Sequence, residues 1–172
     1  MSSRRGFLFS SAGALLAAGF VDWRATAATL SGQPAQAVPD ETFEVTHSDD
    51  EWRTLLNDKQ YQVLRNESTE RPYSSALNDE HRDGVFACAG CQLALFTSAA
   101  KFDSRTGWPS FTAPLENAVS TRRDTSLGGS RIEVHCQRCG GHLGHVFPDG
   151  PRPTGLRYCM NGVAITFAPE AA

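Results

Sequence analysis

Cys88-Ala89-Gly90-Cys91 and Cys136-Gln137-Arg138-Cys139 are two C-x-x-C pairs set far apart in the chain. A two-residue spacing lets one tight turn aim both sulfurs at a single ion. Two such turns complete a tetrahedral shell of four thiolates, the arrangement that suits zinc. Gly90, and Gly140 directly after Cys139, permit the positive φ that such turns often need. Four protein ligands leave no open position, so one structural Zn(2+) per chain is expected on Cys88, Cys91, Cys136 and Cys139. The long gap between Cys91 and Cys136 means that the metal would staple distant parts of one domain. A pair of disulfides is the competing reading, open to an exported protein.

Around these turns the chain is punctuated as antiparallel β. Val85-Phe86-Ala87, Leu93-Ala94-Leu95-Phe96, Ile132-Glu133-Val134 and Val163-Ala164-Ile165-Thr166-Phe167 are strand-length runs separated by Gly, Pro and Asp clusters. Ahead of them, Ser48-Asp49-Asp50-Glu51 has capping-box spacing and opens a short helix carrying Trp52, Leu55 and Leu56. Asn57-Asp58 caps a second helix through Tyr61 and Leu64. The expected body is mainly β with short N-terminal helices.

The 172 residues suffice for one domain and a short extension, with 40% hydrophobic and 20% charged residues. A net charge of -3 and no basic block beyond the extreme N-terminus exclude a nucleic-acid binder. Ser3-Arg4-Arg5-Gly6-Phe7-Leu8 is a twin-arginine signature, followed by an apolar run to about Val21. That run is shorter than the ~20 residues a spanning helix needs and suits a signal segment. Ala25-Thr26-Ala27 offers a cleavage site, so residues 1–27 read as a signal peptide and 28–43 as a linker. Residues 44–168 are the expected domain: exported or periplasmic, monomeric, and without stable membrane association after cleavage.

Cysteine arithmetic leaves Cys159 alone, either inert and buried or a reactive thiol. Arg157-Tyr158-Cys159-Met160-Asn161 alternates like a strand, which puts Arg157, Cys159 and Asn161 on one face. The cation beside the sulfur would favour thiolate. Gly141-His142-Leu143-Gly144-His145-Val146-Phe147 supplies two imidazoles. In a regular strand His142 and His145 face opposite sides, and only a bulge or turn at Gly144 brings both to one site. One of them could equally be a satisfied structural histidine.

These segments resemble one family in both order and spacing. Glu70-Arg71-Pro72-Tyr73-Ser74, Cys88-Ala89-Gly90-Cys91, Phe102-Asp103-Ser104, Gly107-Trp108-Pro109-Ser110-Phe111, the His142/His145 segment with Asp149-Gly150-Pro151, and Gly155-Leu156-Arg157-Tyr158-Cys159-Met160-Asn161 are similar to B-type methionine sulfoxide reductases. The resemblance implies two antiparallel β-sheets with N-terminal helices and a structural zinc. It also implies reduction of the R epimer of methionine sulfoxide in proteins. By motif match, Cys159 is the nucleophile and becomes a sulfenic acid, and Trp108 receives the substrate's methyl group. His142, His145 and Asn161 line the polar side, with Arg157 nearby and His145 the natural proton donor.

The chain departs from the family pattern at Thr106, where many members carry a resolving Cys, and at Arg105, a position often held by Gly. Recycling is therefore expected to fall to an external thioredoxin-like partner or a small thiol. Two other function classes compete: a non-catalytic zinc-ribbon interaction module, which needs Cys159 sealed and unreactive, and a thiol redox protein working through its C-x-x-C pairs.

Overall fold

Side chains that cannot all face one way set the architecture, and two sheets share the burden. In the computed structural model, residues 41–126 and 129–171 are described. The expected signal peptide and most of the linker lie outside them. The elements run α1 (Asp49–Leu55), α2 (Asp58–Asn66), β1 (Gly84–Cys88), β2 (Ala94–Thr97), β3 (Lys101–Phe102), β4 (Ser110–Phe111), β5 (Val119–Asp124), β6 (Arg131–Cys136), β7 (His142–Phe147), β8 (Arg157–Met160) and β9 (Ile165–Pro169). A three-stranded sheet has the order β2-β1-β9 and a six-stranded sheet β3-β4-β8-β7-β6-β5, every pairing antiparallel. The mainly β reading, with two sheets and two short helices, holds.

Both helices start where the sequence says. Ser48 and Asn57 accept from the backbone of Glu51 and Gln60, whose side chains reach back to the cap N–H groups. Each reciprocal pair satisfies two of the donors that a helix start leaves open. Helix α2 ends at Glu67, in the left-handed conformation at φ 53. The hydroxyl of Tyr61 donates to Asp49 and so ties the two helices together.

Phe86, Leu95, Phe96, Phe111, Val134, Leu143 and Met160 are fully buried between the sheets and under the helices. Phe96 and Phe111 stack at 4.3 Å, and Phe86 meets Phe111 edge-on at 5.0 Å. Burying one such ring stabilises by roughly 1.5–3 kcal/mol. Two boundaries differ from the sequence reading. Residues 162–164 form a 3-10 turn, so the last strand begins at Ile165 rather than Val163. Glu41 and Phe43, read as linker, already touch the domain: a Glu41 carboxylate oxygen lies 3.1 Å from His135 Nε2, and the Phe43 ring packs edge-on against the His135 ring.

Candidate active site and metal centre

Cys88 ends β1 and Cys136 ends β6, and each strand turns sharply so that its partner, Cys91 or Cys139, comes back to the same point. The turns are closed by Gln92 N donating to the Cys88 carbonyl and Gly140 N to the Cys136 carbonyl, both at 2.9 Å. All four sulfurs lie within 4.8 Å of one another. The short approaches cross between the pairs, Cys88 to Cys139 at 3.7 Å and Cys91 to Cys136 at 3.5 Å. A tetrahedral ion with metal–sulfur bonds of about 2.3 Å has sulfur–sulfur edges of about 3.8 Å, so the donor set fits a closed four-thiolate metal site. Disulfide sulfurs would be bonded at about 2.05 Å, and all four cysteines are free. This cluster joins the three-stranded sheet to the six-stranded one. Arg65 of α2 donates to the Cys139 carbonyl at 3.1 Å and covers Trp52, which closes the helices over it.

Cys159 stands outside that cluster, in the middle of the larger sheet. Register pairs it with Ser110 of β4 on one side and His145 of β7 on the other. The same row continues from His145 to Glu133 of β6 and Arg122 of β5. Two residues away the face carries a second row, in which Arg157 pairs with Phe147 and Arg131 with Asp124. Gly144 lets β7 approach this closely, because a Cβ there would lie 2.1 Å from the Cys159 carbonyl oxygen.

The two histidines do converge. One extra residue, Leu143, is accommodated in β7 opposite the Val134/His135 step, and the rings meet at 5.4 Å. Each imidazole has its own carboxylate. His142 Nδ1 lies 2.7 Å from Glu133, with both side chains 3% exposed, and Arg122 pairs with the same carboxylate. His145 Nε2 lies 2.8 Å from Asp124, at the rim. Burial pushes the His145 pKa down, and the Asp124 carboxylate pulls it back up.

A cavity of about 130 Å³ opens over the sulfur, with Trp108, Arg131, His145, Phe147, Cys159 and Asn161 in its wall. Trp108 sits in a turn that Gly107 makes at φ 94, and its indole N–H donates to the Glu70 carbonyl at 3.2 Å. Arg105, which departs from the family's frequent Gly, sits at φ 58, the region glycine favours. Tyr73 braces that loop, donating its hydroxyl to the Arg105 carbonyl at 2.8 Å.

Three placements refine the sequence reading. His142 is sealed at 2% exposure and is not in the cavity wall. Asn161 lines the cavity, but its amide is occupied: Oδ1 accepts from Glu70 N at 3.0 Å and Nδ2 donates to the Leu143 carbonyl at 3.1 Å. Arg157 forks onto Asp149 through two hydrogen bonds of 2.9 Å, lies over the Phe147 ring and stands beside Cys159. There it favours the thiolate, as the alternation implied. Burial pushes the Cys159 thiol up, and Arg157, Thr106 and Ser110 only partly offset it. Sequence reasoning missed Asp124, Arg131 and the role of Glu133. The signal was there, since strand alternation aims Glu133 and Arg131 at the same face.

The SelR domain family matches residues 56–169, most of the chain. This chain belongs to the SelR family. Its relatives include proteins named peptide methionine sulfoxide reductase MsrB. That of Pseudomonas putida (strain GB-1) is 57% identical over 122 residues, covering 70% of this chain and 93% of the relative. That of Bradyrhizobium diazoefficiens is 54% identical over 127 residues, covering 73% and 91%. The Leifsonia xyli protein is 53% identical over 130 residues, covering 74% and 94%.

Proposed function

We propose that this chain reduces the R epimer of methionine sulfoxide in proteins, with Cys159 as the nucleophile. The observation that carries the reading is Cys159 opening into a cavity walled by Trp108 and His145. The indole offers an apolar wall to the methyl thioether end, and its N–H is already engaged by Glu70, so the ring is held rigid. The Cys159 sulfur attacks the sulfoxide sulfur while His145 protonates the oxygen, which leaves as water. A water then attacks Cys159 Sγ, the new S–S bond breaks and its electron pair goes to the departing thioether. Thiol and sulfoxide become sulfenic acid and thioether, so Cys159 ends as Cys–SOH and methionine leaves. Two equivalents of an external thiol then return Cys159 to thiol, releasing a disulfide and water.

Thr106 supports recycling by an outside reductant, because it offers a hydroxyl where a resolving thiol would stand. Its hydroxyl joins Ser104 at 2.8 Å, and Ser104 joins Ser110 at 2.7 Å, which makes a row of hydroxyls beside the sulfur. Cys88, Cys91, Cys136 and Cys139 would hold one zinc ion, which supplies a structural clamp and no reacting group. The Ser3–Leu8 motif supports export through the twin-arginine route. An interaction module would need Cys159 sealed, and its place in the cavity wall weighs against that reading.

The test is a stereospecific assay on peptidyl sulfoxide epimers, followed by one turnover without reductant in the presence of a dimedone-type trap. Turnover of the R epimer alone, its loss in Cys159→Ser, and a trapped adduct on Cys159 are expected. Equal use of both epimers, or a disulfide from Cys159 to any other cysteine, would reject the scheme.

A further inference from the structure

Asp124 is the last residue of β5, and Ser126 and Arg131 both donate to it. Oδ1 accepts from the backbone N–H of Ser126 at 2.8 Å and from its hydroxyl at 2.7 Å. Oδ2 accepts from Arg131 at 2.6 Å and lies 2.8 Å from His145 Nε2. An ionised carboxylate only accepts, so Nε2 of His145 must carry a proton. The other ring nitrogen, Nδ1, is then the atom that can gain and give a second proton. Asp124 is 13% exposed and His145 10%, so solvent screens the pair little.

We propose that Asp124 is a positioning residue for His145: it fixes the proton on Nε2, assigns proton transfer to Nδ1, and sustains the imidazolium on which departure of the sulfoxide oxygen depends. The inference rests on the reading of His145 as proton donor. The charged and titratable groups around the ring come from every strand that packs against it. Asp124 approaches from β5, Arg131 and Glu133 from β6, His142 from β7 itself, and Cys159 from β8. Arg131 opposes the imidazolium but is itself paired with Asp124. Glu133 is committed to His142 and Arg122. Asp124 is therefore the carboxylate that answers to His145. Its own pKa is held well below the usual range, first by Ser126 and then by His145 and Arg131, so it stays ionised across the working range. This role follows from hairpin register: Asp124 pairs with Arg131, and Glu133, two residues on, pairs with His145.

Asp124→Asn keeps the shape and removes the charge. In the reductase assay, kcat is expected to fall about tenfold with little change in KM, as for an interaction made in the transition state. The limb of the pH profile that reports the imidazolium should move to lower pH, since the group that raised the His145 pKa is gone. In a His145→Ala background the same substitution should have no further effect. An activity-independent readout is the NMR titration of the His145 ring in the free protein, which should move to lower pH in Asp124→Asn. A variant whose His145 titrates as in wild type, or whose loss adds in full to that of His145→Ala, overturns the proposal. Should the wild type fail to turn over sulfoxide, the reductase reading falls on that control alone, and the titration still decides whether Asp124 governs His145.

Discussion

Five cysteines occupy two regions that use the same side chain in opposite ways. At the clamp, Cys88, Cys91, Cys136 and Cys139 converge from two turns until all four sulfurs lie within 4.8 Å of one another. At the sheet centre, Cys159 has no sulfur beside it, and its neighbours are Ser110, His145, Thr106 and Arg157. What separates them is convergence of backbone. The clamp is made by turns that bring distant segments together, so its strength resides in the fold. The Cys159 site is made by strand register, which lines up single side chains without needing them for stability. The difference teaches that a cysteine's role follows from which atoms its backbone delivers to it.

The comparison breaks most sharply if the clamp is opened. Cys91→Ser is expected to release the metal and unfold the domain. A closed zinc site supplies about 10–16 kcal/mol of apparent folding free energy, as much as the whole stability of an ordinary domain. Metal content by elemental analysis and circular dichroism of the variant are the measurements. A metal-free wild type with unchanged thermal stability would show that the four sulfurs are not a clamp at all.

Asn161 lies between the extremes, with one foot in the cavity and both ends of its amide in the fold. Asn161→Ala would strand the Glu70 N–H and remove a donor from the Leu143 carbonyl. An unsatisfied buried group costs about 1–3 kcal/mol, so the variant should lose measurable stability in urea as well as activity. Replacement that lowers turnover while leaving the urea midpoint unchanged would move Asn161 wholly to the chemistry.

Much of this was legible in the chain. C-x-x-C spacing told where four sulfurs would meet, because a turn of that length has few geometries. Capping boxes at Ser48 and Asn57 located both helix starts by local hydrogen bonding alone. Alternation put Arg157 and Cys159 on one face of β8. Pairing was not legible, because which strand lies beside which is set by burial over long separations. Hence Asp124 went unseen beside His145, from which it is 21 residues distant. Spacing likewise could not show that Asp149 holds the Arg157 guanidinium.

The smallest effect tests how far charge governs the lone sulfur. Burial raises the Cys159 pKa, while Arg157 is the largest of the groups that lower it, ahead of Thr106 and Ser110. Only thiolate reacts with iodoacetamide, so alkylation of Cys159 in the metal-loaded protein should rise with pH and inflect above the ordinary thiol range. Removing the guanidinium in Arg157→Met should push the inflection higher and slow alkylation at neutral pH by about threefold to tenfold, since one pKa unit is a tenfold change in thiolate. That substitution also disturbs packing on Phe147 and the fork onto Asp149. Arg157→Lys separates the causes, because it keeps the charge and gives up the fork. If charge is what matters, Lys retains most of the wild-type rate and Met does not. Equal slowing in both would assign the effect to geometry, and an inflection below neutral pH would mean that Cys159 rests as thiolate.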